Sequence, residues 1–567
     1  MTRTNTVRAG DTAWTRCPHC SSYLYVKRLN RNDKVCPDCR HHLRMPLDER
    51  LELLLDGGSL RMLDEVPASA DPLGFVDSKP YRQRLAEARE RTGRADAAVA
   101  GTATVGGSPV VVAALDFAFM GGSVGTVVGD ILVRAAQLAG ETRTPLLLVS
   151  ASGGARMQEG CLSLMQLART SQEIARLRES GVLVVNVNTN PTFGGATASF
   201  SSLGDVIVAE PGSLIGFAGP QVIRQTVREE LPAGFQTAEF LHEHGLADLV
   251  VPRESLHETL AGLFRLHRAD TADGAAGHGR GEPRRLSTRA PAPARAWDVV
   301  TRARNVGRPT TLDYLHQLAD EFVELHGDRV HGDDPAVVGG IARLAGRSVV
   351  VIGHQKGHDT AEMVHRNFGM PHPEGYRKAM RLMHHAERFG LPVVTFVDTA
   401  GAYPGLEAEE RGQGAVIAEC IATMARLSVP VVSVITGEGG SGGALALAVA
   451  NRVVMLQNGY YSVISPEGCS TILWGSATRA PDAAAQLRLT AADLQEFGVV
   501  DEVVLEPDGG AHEDPAGTVD RVGETVAAVL AELGTMSGDE LVAHRHARFD
   551  AFGRLGADAE TVRAGAA

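Results

Sequence analysis

Two distant parts of the sequence carry the same pair of glycine-bearing turns. Gly153 and Gly194 are separated by 41 positions, and Gly401 and Gly442 are separated by the same distance. Each turn follows an apolar run that predicts a buried parallel strand. The helix-like segments between the paired turns are 157–180 and 408–428. Each half therefore repeats strand, turn, helix, strand, glycine turn and helix, which predicts an internal duplication of a domain-sized α/β unit.

The glycine-rich stretch at 436–446 indicates what such a turn can do. The apolar run at 429–435 predicts a strand, and the apolar segment at 445–450 predicts the first turns of a buried helix. A strand, a glycine turn and a helix N-terminus leave free N–H groups in one small space, which suits an anion or an oxygen that becomes one. The alternative is that the glycines serve packing alone. The duplication favours a binding role.

The composition restricts the class of protein. The 567 residues suffice for two sizeable domains, and the hydrophobic fraction of 44% is ordinary for a globular protein. A net charge of −13 argues against broad binding to nucleic acid or to an anionic membrane. No apolar run is long enough to cross a bilayer, and residues 1–10 lack the apolar core of a signal peptide. We therefore expect a cytoplasmic protein.

Four cysteines near the start of the sequence predict a metal site. Cys17 and Cys20 form one CxxC pair, and Cys36 and Cys39 form a second. Four thiolates in two short knuckles satisfy tetrahedral Zn²⁺ without an open position, so we expect one structural zinc ion. The segment is locally basic, which leaves two interpretations open: a nucleic-acid-binding module, or a small zinc-stabilised lid whose charged face is solvated.

The rest of the chain divides at changes of composition. Residues 268–296 are rich in Ala, Gly, Pro and Arg, which is typical of a linker. A helical stretch is predicted at 310–326, and another at about 517–534. The predicted segments are a zinc ribbon at 14–45, a first α/β domain at 46–266, a linker at 267–297, a second α/β domain at 298–506 and a tail at 507–567.

Longer motifs give both halves a specific family resemblance. The first half, with its four cysteines and the segments 152–160 and 215–220, resembles the β subunit of bacterial acetyl-CoA carboxylase carboxyltransferase. The second half resembles the α subunit. Its matching segments are 355–357, 366–370, 373–379, 398–405, 439–443 and 465–469. The two subunits, which are usually separate chains, would thus be joined here, β before α.

The resemblance implies a fold and an activity. It implies a crotonase-like spiral fold in each half, with an active site between a β-type and an α-type domain. It also implies transfer of a carboxyl group from carboxybiotin, held on biotin carboxyl carrier protein and loaded by biotin carboxylase, to acetyl-CoA. The product would be malonyl-CoA, and the protein would be a homo-oligomer. In agreement, the sequence contains neither a P-loop nor a biotin-attachment motif.

Other functions remain open at this stage. The same fold could act on propionyl-CoA or another acyl-CoA, or in a biotin-dependent decarboxylase. Propionyl-type chains generally lack the zinc ribbon, so the four cysteines favour acetyl-CoA. An alternative of a different class is a zinc-ribbon regulator that binds nucleic acid.

The resemblance also assigns roles to individual residues. Gly194 and Gly195 would hold the thioester oxygen of the acyl-CoA, and Gly442 and Gly443 would hold the biotin carbonyl. The ureido anion of biotin can take the α-proton, so no side-chain base is required. The predicted substrate-binding residues are Gly153, Gly154, Arg156, Lys356, Gly401 and Tyr403.

For several charged, sulfur-containing and histidine residues, a structural role is an alternative to ligand or metal binding. Arg156 and Lys356 could each hold a CoA phosphate, but Arg156 could instead cap a helix or pair with Glu159. Cys161 and Cys420 are expected in the core. The histidines expected to be solvated rather than to bind metal are those at 354, 358, 365, 372, 384 and 385.

Overall fold

The computed structural model separates the chain into two compact units, Met1–His267 and Arg268–Ala567. The described residues are 14–63, 70–220, 223, 231–268, 290–291, 293 and 295–552. Most of the predicted linker at 267–297 therefore lies outside the described residues. None of the described helices has the length and apolar character needed to cross a bilayer.

The first unit begins with a two-stranded ribbon and continues into an eight-stranded sheet. The strands are β1 (Trp14–Arg16), β2 (Tyr23–Tyr25), β3 (Arg61–Met62), β4 (Ala98–Val105), β5 (Ser108–Leu115), β6 (Leu146–Ser152), β7 (Val184–Phe193), β8 (Val206–Ala209), β9 (Ile215–Gly216) and β10 (Leu249–Val250). The sheet order is β10-β8-β7-β6-β5-β4-β3. Within this sheet, β4 pairs antiparallel with β3 and with β5, whereas all the other pairings are parallel, and β9 joins the far end of β7.

Helices cover this sheet and bury its apolar side chains. They are α1 (Val26–Arg31), α2 (Leu47–Leu54), α3 (Tyr81–Thr92), α4 (Thr126–Thr142), α5 (Gly160–Glu179), α6 (Ala238–Glu243) and α7 (Arg253–Leu266). One face of the sheet and the apolar face of α4 form the main core, in which Val111, Leu148 and Ile131 are almost completely buried. The helix predicted at 157–180 is confirmed as α5.

The second unit repeats the sheet. Its strands are β11 (Ala319–Glu324), β12 (Val337–Leu344), β13 (Arg347–His354), β14 (Val393–Thr399), β15 (Val431–Gly440), β16 (Arg452–Leu456), β17 (Tyr460–Ser462) and β18 (Glu502–Val504). The sheet order is β11-β12-β13-β14-β15-β16-β18, with β17 on the far end of β15. The order and the branch match those of the first sheet strand for strand.

In the part of the chain that the structure describes, more helices surround the second sheet than the first. They are α8 (Ala296–Ala303), α9 (Thr311–Leu318), α10 (Thr360–His365), α11 (Pro373–Phe389), α12 (Leu406–Glu410), α13 (Gln413–Arg426), α14 (Ser441–Leu445), α15 (Pro466–Trp474), α16 (Ala480–Leu487), α17 (Ala491–Glu496), α18 (Pro515–Leu533) and α19 (Gly538–Asp550). The helix predicted at 310–326 ends at Leu318, because the chain there turns into edge strand β11.

The C-terminal segment contributes to the core of the second unit. Helix α18 buries Val519, Val522 and Val526 in one cluster with Tyr314 and Val351. The sequence predicted this helix but not α19, and it gave no sign that the tail packs against the sheet. Residues 507–552 therefore complete the second unit instead of trailing from it.

The duplication is confirmed, and between the two units it runs at a constant offset of 247 residues. Helices α4 and α11 have 17 residues each and begin at Thr126 and Pro373. Strands β6 and β14 have seven residues each, and β7 and β15 have ten. The same register shift follows both β6 and β14, after which Ser152 pairs with Thr192 and Thr399 pairs with Gly439.

Backbone angles repeat at the same offset. Gly194 and Ser441 have φ values of +61° and +57°, and Gly154 and Gly401 have φ values of +110° and +148°. The spacing of 41 in the sequence paired Gly153 with Gly401. The backbone angles show that Gly401 corresponds to Gly154, so that pairing is wrong by one residue. Adjacent glycines hide this shift in the sequence, because either of them can adopt a positive φ.

The glycine-rich stretch at 436–440 is a strand, which corrects the prediction of a turn there. Strand β15 continues to Gly440, and the buried helix predicted at 445–450 is only the five-residue α14, ending at Leu445. Glycines permit this close packing of backbones. A Cβ on Gly439 would stand 2.8 Å from the backbone carbonyl oxygen of Tyr460 in β17.

Candidate active site

Two backbone amides lie together in the first unit where β6 and β7 end. Ala155 follows β6 and Gly195 follows β7, and a Cβ on Gly195 would stand 3.3 Å from the Ala155 nitrogen. Among the described residues, neither N–H group has a hydrogen-bond acceptor. Two such donors at one place form a hole that can stabilise an oxygen anion. We call the N–H groups of Ala155 and Gly195 the first hole.

A hydroxyl fixes the turn that carries Ala155. The N–H of Gly154 donates to Ser152 Oγ at 3.0 Å, and Ser152 Oγ donates to the Gly122 carbonyl at 2.7 Å. Gly154 also lies against Gly194, because a Cβ on Gly154 would be 3.3 Å from the Gly194 Cα. This close approach, together with the positive φ of Gly154, explains why a glycine is needed there.

The second unit has the same arrangement. Ala402 follows β14, and Gly442 is the second residue of α14, so its N–H has no acceptor inside the helix. In the part of the chain that the structure describes, neither amide finds another acceptor. The N–H of Gly401 donates to Thr399 Oγ1 at 3.1 Å, as Gly154 does to Ser152. We call the N–H groups of Ala402 and Gly442 the second hole.

Gly443 makes room for the second hole. A Cβ at this position would overlap the Ala402 nitrogen and would stand 2.8 Å from the Gly401 carbonyl carbon. Gly442 itself has more space, since its Cβ would meet only Ile417 Cγ2, at 3.6 Å. The two predicted glycines therefore differ in role: Gly442 offers a donor, and Gly443 allows Ala402 to come close.

The predicted glycines of the first unit also divide by role. The N–H of Gly194 donates to the Phe217 carbonyl at 2.9 Å, and the N–H of Gly153 donates to the Gly121 carbonyl at 2.8 Å. Both amides are therefore engaged within the fold and shape the turn. Gly195 is the glycine of this group whose amide belongs to the first hole.

Sequence reasoning missed the alanines of both holes. Ala155 and Ala402 each come directly after the glycine that adopts a positive φ. A signal was present, because Ser152 and Thr399 each begin a motif of hydroxyl residue, any residue, glycine and alanine. Aligning the two copies on this motif gives the offset of 247 seen in the structure.

Arg156 is buried and fully engaged. Its guanidinium lies 3.0 Å from Asp96, 3.3 Å from Glu159, 3.2 Å from the Tyr81 hydroxyl and 3.1 Å from Ser123 Oγ. Burial alone would lower the pKa of Arg156, but the hydrogen bond to Asp96 and the negative charge of Asp96 raise it. Because these partners already take up the donors of the guanidinium inside the fold, the side chain is not offered to a phosphate. The alternative prediction, that Arg156 pairs with Glu159, is confirmed.

Lys356 lies between two carboxylates of the second unit. Its Nζ is 2.7 Å from Asp398, which precedes Thr399, and 2.7 Å from Glu438 in β15. Burial opposes its charge, but the two carboxylates outweigh burial and raise the pKa of Lys356. Burial likewise opposes the charge of Glu438, yet Lys356 and Arg304 lower the pKa of Glu438 to about 2. The group is therefore an ion network that ties β14 to β15.

Tyr403 lies at the rim of the second hole. It follows Ala402, and its N–H donates to the Pro371 carbonyl at 3.0 Å. Its ring packs on His372 with the ring centroids 4.5 Å apart. The side chain is half-buried.

Two histidines and one cysteine differ from the expectations. His354 and His385 are buried instead of solvated, and Cys161 is exposed instead of belonging to the core. Cys420 is buried as expected.

Among the described residues, the only group of His, Cys, Asp and Glu side chains close enough to share a metal is the set of four ribbon cysteines.

The ribbon cysteines fit a zinc ion. The four Sγ atoms lie within 4.8 Å of one another, with Cys17 to Cys39 at 3.7 Å and Cys20 to Cys36 at 3.8 Å. A tetrahedron with Zn–S bonds of about 2.3 Å has sulfur–sulfur edges of about 3.8 Å. No ligand position remains open in such a set, so the zinc has a structural role, as predicted.

A buried ion cluster joins the ribbon to the α/β domain of the first unit. Glu210 follows β8 and lies 2.6 Å from Arg50 and 2.8 Å from Arg253. Arg253 also donates to the Asp33 carbonyl, which belongs to the ribbon, at 2.9 Å. Burial opposes the charge of Glu210, but the two arginines lower the pKa of Glu210 to about 2.

Comparison with known families agrees with this architecture. A family described as acetyl co-enzyme A carboxylase carboxyltransferase-like matches residues 283–553, and the acetyl-CoA carboxylase zinc finger domain matches residues 14–39. The first match includes α18 and α19, which agrees with their place in the second unit.

Relatives match along nearly the whole chain. The acetyl-coenzyme A carboxylase carboxyl transferase subunits beta/alpha of Saccharopolyspora erythraea is 61% identical over 546 residues, which are 96% of this chain and 95% of that protein. The protein of the same description from Clostridium tetani is 42% identical over 548 residues, covering 96% and 93%. The subunit alpha of Thermus thermophilus is 60% identical over 257 residues, covering 45% of this chain and 82% of that subunit.

Solved structures share the fold at low identity. A transcarboxylase 12S structure with methylmalonyl-coenzyme A bound has a TM-score of 0.68 at 22% identity, covering 90% of this chain and 92% of that one. A single-chain, multi-domain long-chain acyl-CoA carboxylase has a TM-score of 0.66 at 20% identity, covering 88% and 46%.

The duplicated sheet with one hole per copy defines a crotonase-like carboxyltransferase with an N-terminal zinc ribbon. The identity and coverage of the relatives then fix the family. The chain belongs to the acetyl-CoA carboxylase carboxyl transferase β/α family, in which a β-type and an α-type sequence form one chain. The predicted fusion, fold class and zinc ribbon are therefore confirmed.

Proposed function

We propose that this chain moves a carboxyl group from carboxybiotin, held on biotin carboxyl carrier protein, to acetyl-CoA and so makes malonyl-CoA for fatty-acid synthesis. The observation that carries the proposal is the pair of matched holes, each with two amides that have no acceptor among the described residues. Carboxyl transfer between these substrates develops negative charge on two different oxygens, and each hole serves one of them.

The first hole would receive the thioester oxygen. Removing the α-proton of acetyl-CoA moves charge onto this oxygen, and the Ala155 and Gly195 amides stabilise that enolate. One donor of this kind contributes roughly 3 kcal/mol to transition-state stabilisation in oxyanion holes. The Ser152 hydroxyl acts through Gly154, because it holds the turn in which Ala155 lies.

The second hole would receive the ureido oxygen of biotin. When the N1–carboxyl bond of carboxybiotin breaks, CO₂ leaves and the electron pair stays on the ureido group as an anion. The Ala402 and Gly442 amides stabilise that charge. The anion then takes the α-proton of acetyl-CoA, and the enolate carbon bonds to CO₂. Atoms and charge balance without a side-chain base, which fits the absence of such a residue among those that form the holes.

The proposal includes partners and a location. Biotin carboxylase would load the carrier, and chains of this protein would associate as a homo-oligomer. The four ribbon thiols support the reducing cytoplasm as the location, because thiolates that bind zinc must stay reduced. The ribbon also supports acetyl-CoA over propionyl-CoA as substrate.

The test is carboxyl transfer by the purified full-length chain. Malonyl-CoA and free biotin are supplied, and formation of acetyl-CoA is measured. We expect turnover with malonyl-CoA that exceeds turnover with methylmalonyl-CoA. A higher rate with methylmalonyl-CoA would reassign the substrate. No transfer with either compound, combined with salt-dependent RNA binding, would replace the proposal with a nucleic-acid role.

A further inference from the structure

The hydroxyl of Tyr376 is completely buried and has no hydrogen-bond partner among the described residues. Tyr376 is the fourth residue of α11, the helix that begins after the loop at 367–372. Burying a hydroxyl without a partner is unfavourable, so such groups usually have a ligand or another role. Two other observations place this hydroxyl at the second hole.

The first observation concerns Gly443. A Cβ on Gly443 would stand 2.8 Å from the Tyr376 hydroxyl oxygen, and at the same point it would overlap the Ala402 nitrogen. The hydroxyl and one donor of the second hole thus converge on one spot. Gly443 leaves that spot free of side-chain atoms.

The second observation is a difference between the two holes. At the offset of 247, Gly129 takes the place of Tyr376, and Ala196 takes the place of Gly443. A Cβ on Gly129 would collide with Gln166, which occupies this space in the first unit. The polar atoms of Gln166 are paired, with Leu162 and Arg169 at 2.8 Å each. At the position equivalent to Tyr376, the first unit therefore has a paired amide instead of an unpartnered hydroxyl.

We propose that the Tyr376 hydroxyl is a third donor of the second hole and hydrogen-bonds the ureido oxygen of biotin. The inference rests on the proposed function and extends it, because it names a catalytic side chain and a reason why the two holes differ. The two holes would then bind their oxygens with different numbers of donors. The thioester oxygen would receive hydrogen bonds from two amides, and the ureido oxygen from two amides and the Tyr376 hydroxyl.

The environment keeps the hydroxyl a donor. Burial raises the pKa of Tyr376 well above its ordinary value, and the nearby Cys420 and Asp334 raise it further. The phenol therefore stays protonated across the working pH range. A neutral O–H group then stabilises the ureido anion without adding a charge of its own.

The decisive variant is Tyr376→Phe, which removes one oxygen and keeps the ring. In the malonyl-CoA and biotin assay, we expect kcat to fall about 10- to 100-fold while the KM for malonyl-CoA stays unchanged. Equilibrium dialysis with labelled biotin gives a readout without turnover, and there we expect affinity to fall about 3- to 10-fold. The melting temperature should not fall, since the deletion removes an unpaired buried hydroxyl.

The matched control is Tyr314→Phe. Tyr314 is also completely buried, and its hydroxyl also lacks a partner among the described residues, but its ring stacks on Phe396 in the core. We expect this variant to match wild type in kcat and in biotin affinity. Wild-type kcat and affinity in Tyr376→Phe, or equal losses in the two variants, would overturn the inference. Absence of transfer by wild type would instead overturn the proposed function, and biotin affinity would still test Tyr376.

Discussion

The backbone nitrogen of Ala402 occupies the place that a side chain on Gly443 would need. This relationship makes Gly443 the most constrained position of the second hole. We predict that Gly443→Ala displaces Ala402 and lowers kcat for carboxyl transfer by about 100-fold, because a misplaced donor no longer matches the developing charge. Steady-state kinetics with malonyl-CoA and biotin, together with a melting curve, measure the effect.

Gly414→Ala is the control for that variant. Gly414 lies in α13 at an exposed position, and a Cβ there would meet no atom within 4 Å. Activity should equal that of wild type, and stability should rise slightly, since alanine favours a helix by up to about 1 kcal/mol over glycine. Full activity in Gly443→Ala would show that Ala402 is not a donor in the reaction.

Much of the fold followed from periodicity, but the precise register of the holes did not. Apolar runs identified β6, β7, β14 and β15, because buried parallel strands are continuously hydrophobic. The sequence could not say which of two adjacent glycines takes a positive φ, so the copies were aligned one residue apart from their true register. The donors Ala155 and Ala402 were missed for a related reason: a backbone amide has no side-chain signature.

Burial of charge was also invisible in the sequence. Arg156 and Lys356 looked like phosphate ligands because their partners, such as Asp96 and Glu438, are distant in the chain. Only the folded sheet brings these groups together. The same holds for Tyr376, whose place beside Gly443 depends on the packing of α11.

Lys356→Met should act mainly on stability. The change leaves Asp398 and Glu438 without their shared cation, and breaking a buried pair of this kind costs on the order of 3 kcal/mol. We expect a lower melting temperature for the unfolding transition of the second unit, with Lys356→Arg closer to wild type. A variant with a higher KM for malonyl-CoA and an unchanged melting temperature would instead make Lys356 a phosphate ligand.

Cys36→Ser should remove the zinc ion. The remaining three thiolates cannot complete the tetrahedron, and zinc ribbons depend on their metal for folding. We expect metal analysis to show about one zinc per wild-type chain and close to none in the variant, with new protease cleavage near residues 17–39. Cys161→Ser, which alters an exposed cysteine outside the cluster, should keep its zinc. Equal zinc in both variants would exclude the Cys₄ site.

Glu210 should make the stability of the first unit depend on pH. Its pKa is about 2 in the folded protein, whereas an unfolded chain has a glutamate pKa of about 4.3. Because the folded pKa is the lower one, the ionised carboxylate stabilises the fold at all pH values above about 4.5. This contribution, on the order of 3 kcal/mol, is lost as the pH falls from about 4.5 towards 2.

Glu210→Gln separates this effect from general acid unfolding. At pH 7 the variant should melt well below wild type, because Arg50 and Arg253 lose their shared carboxylate in a buried place. As the pH falls below about 4.5, wild type loses the same interaction, so the two melting temperatures should converge. Glu407→Gln, which alters an exposed carboxylate, should follow wild type throughout. A gap between Glu210→Gln and wild type that stays constant down to pH 3 would mean that the carboxylate charge contributes nothing to stability in this range.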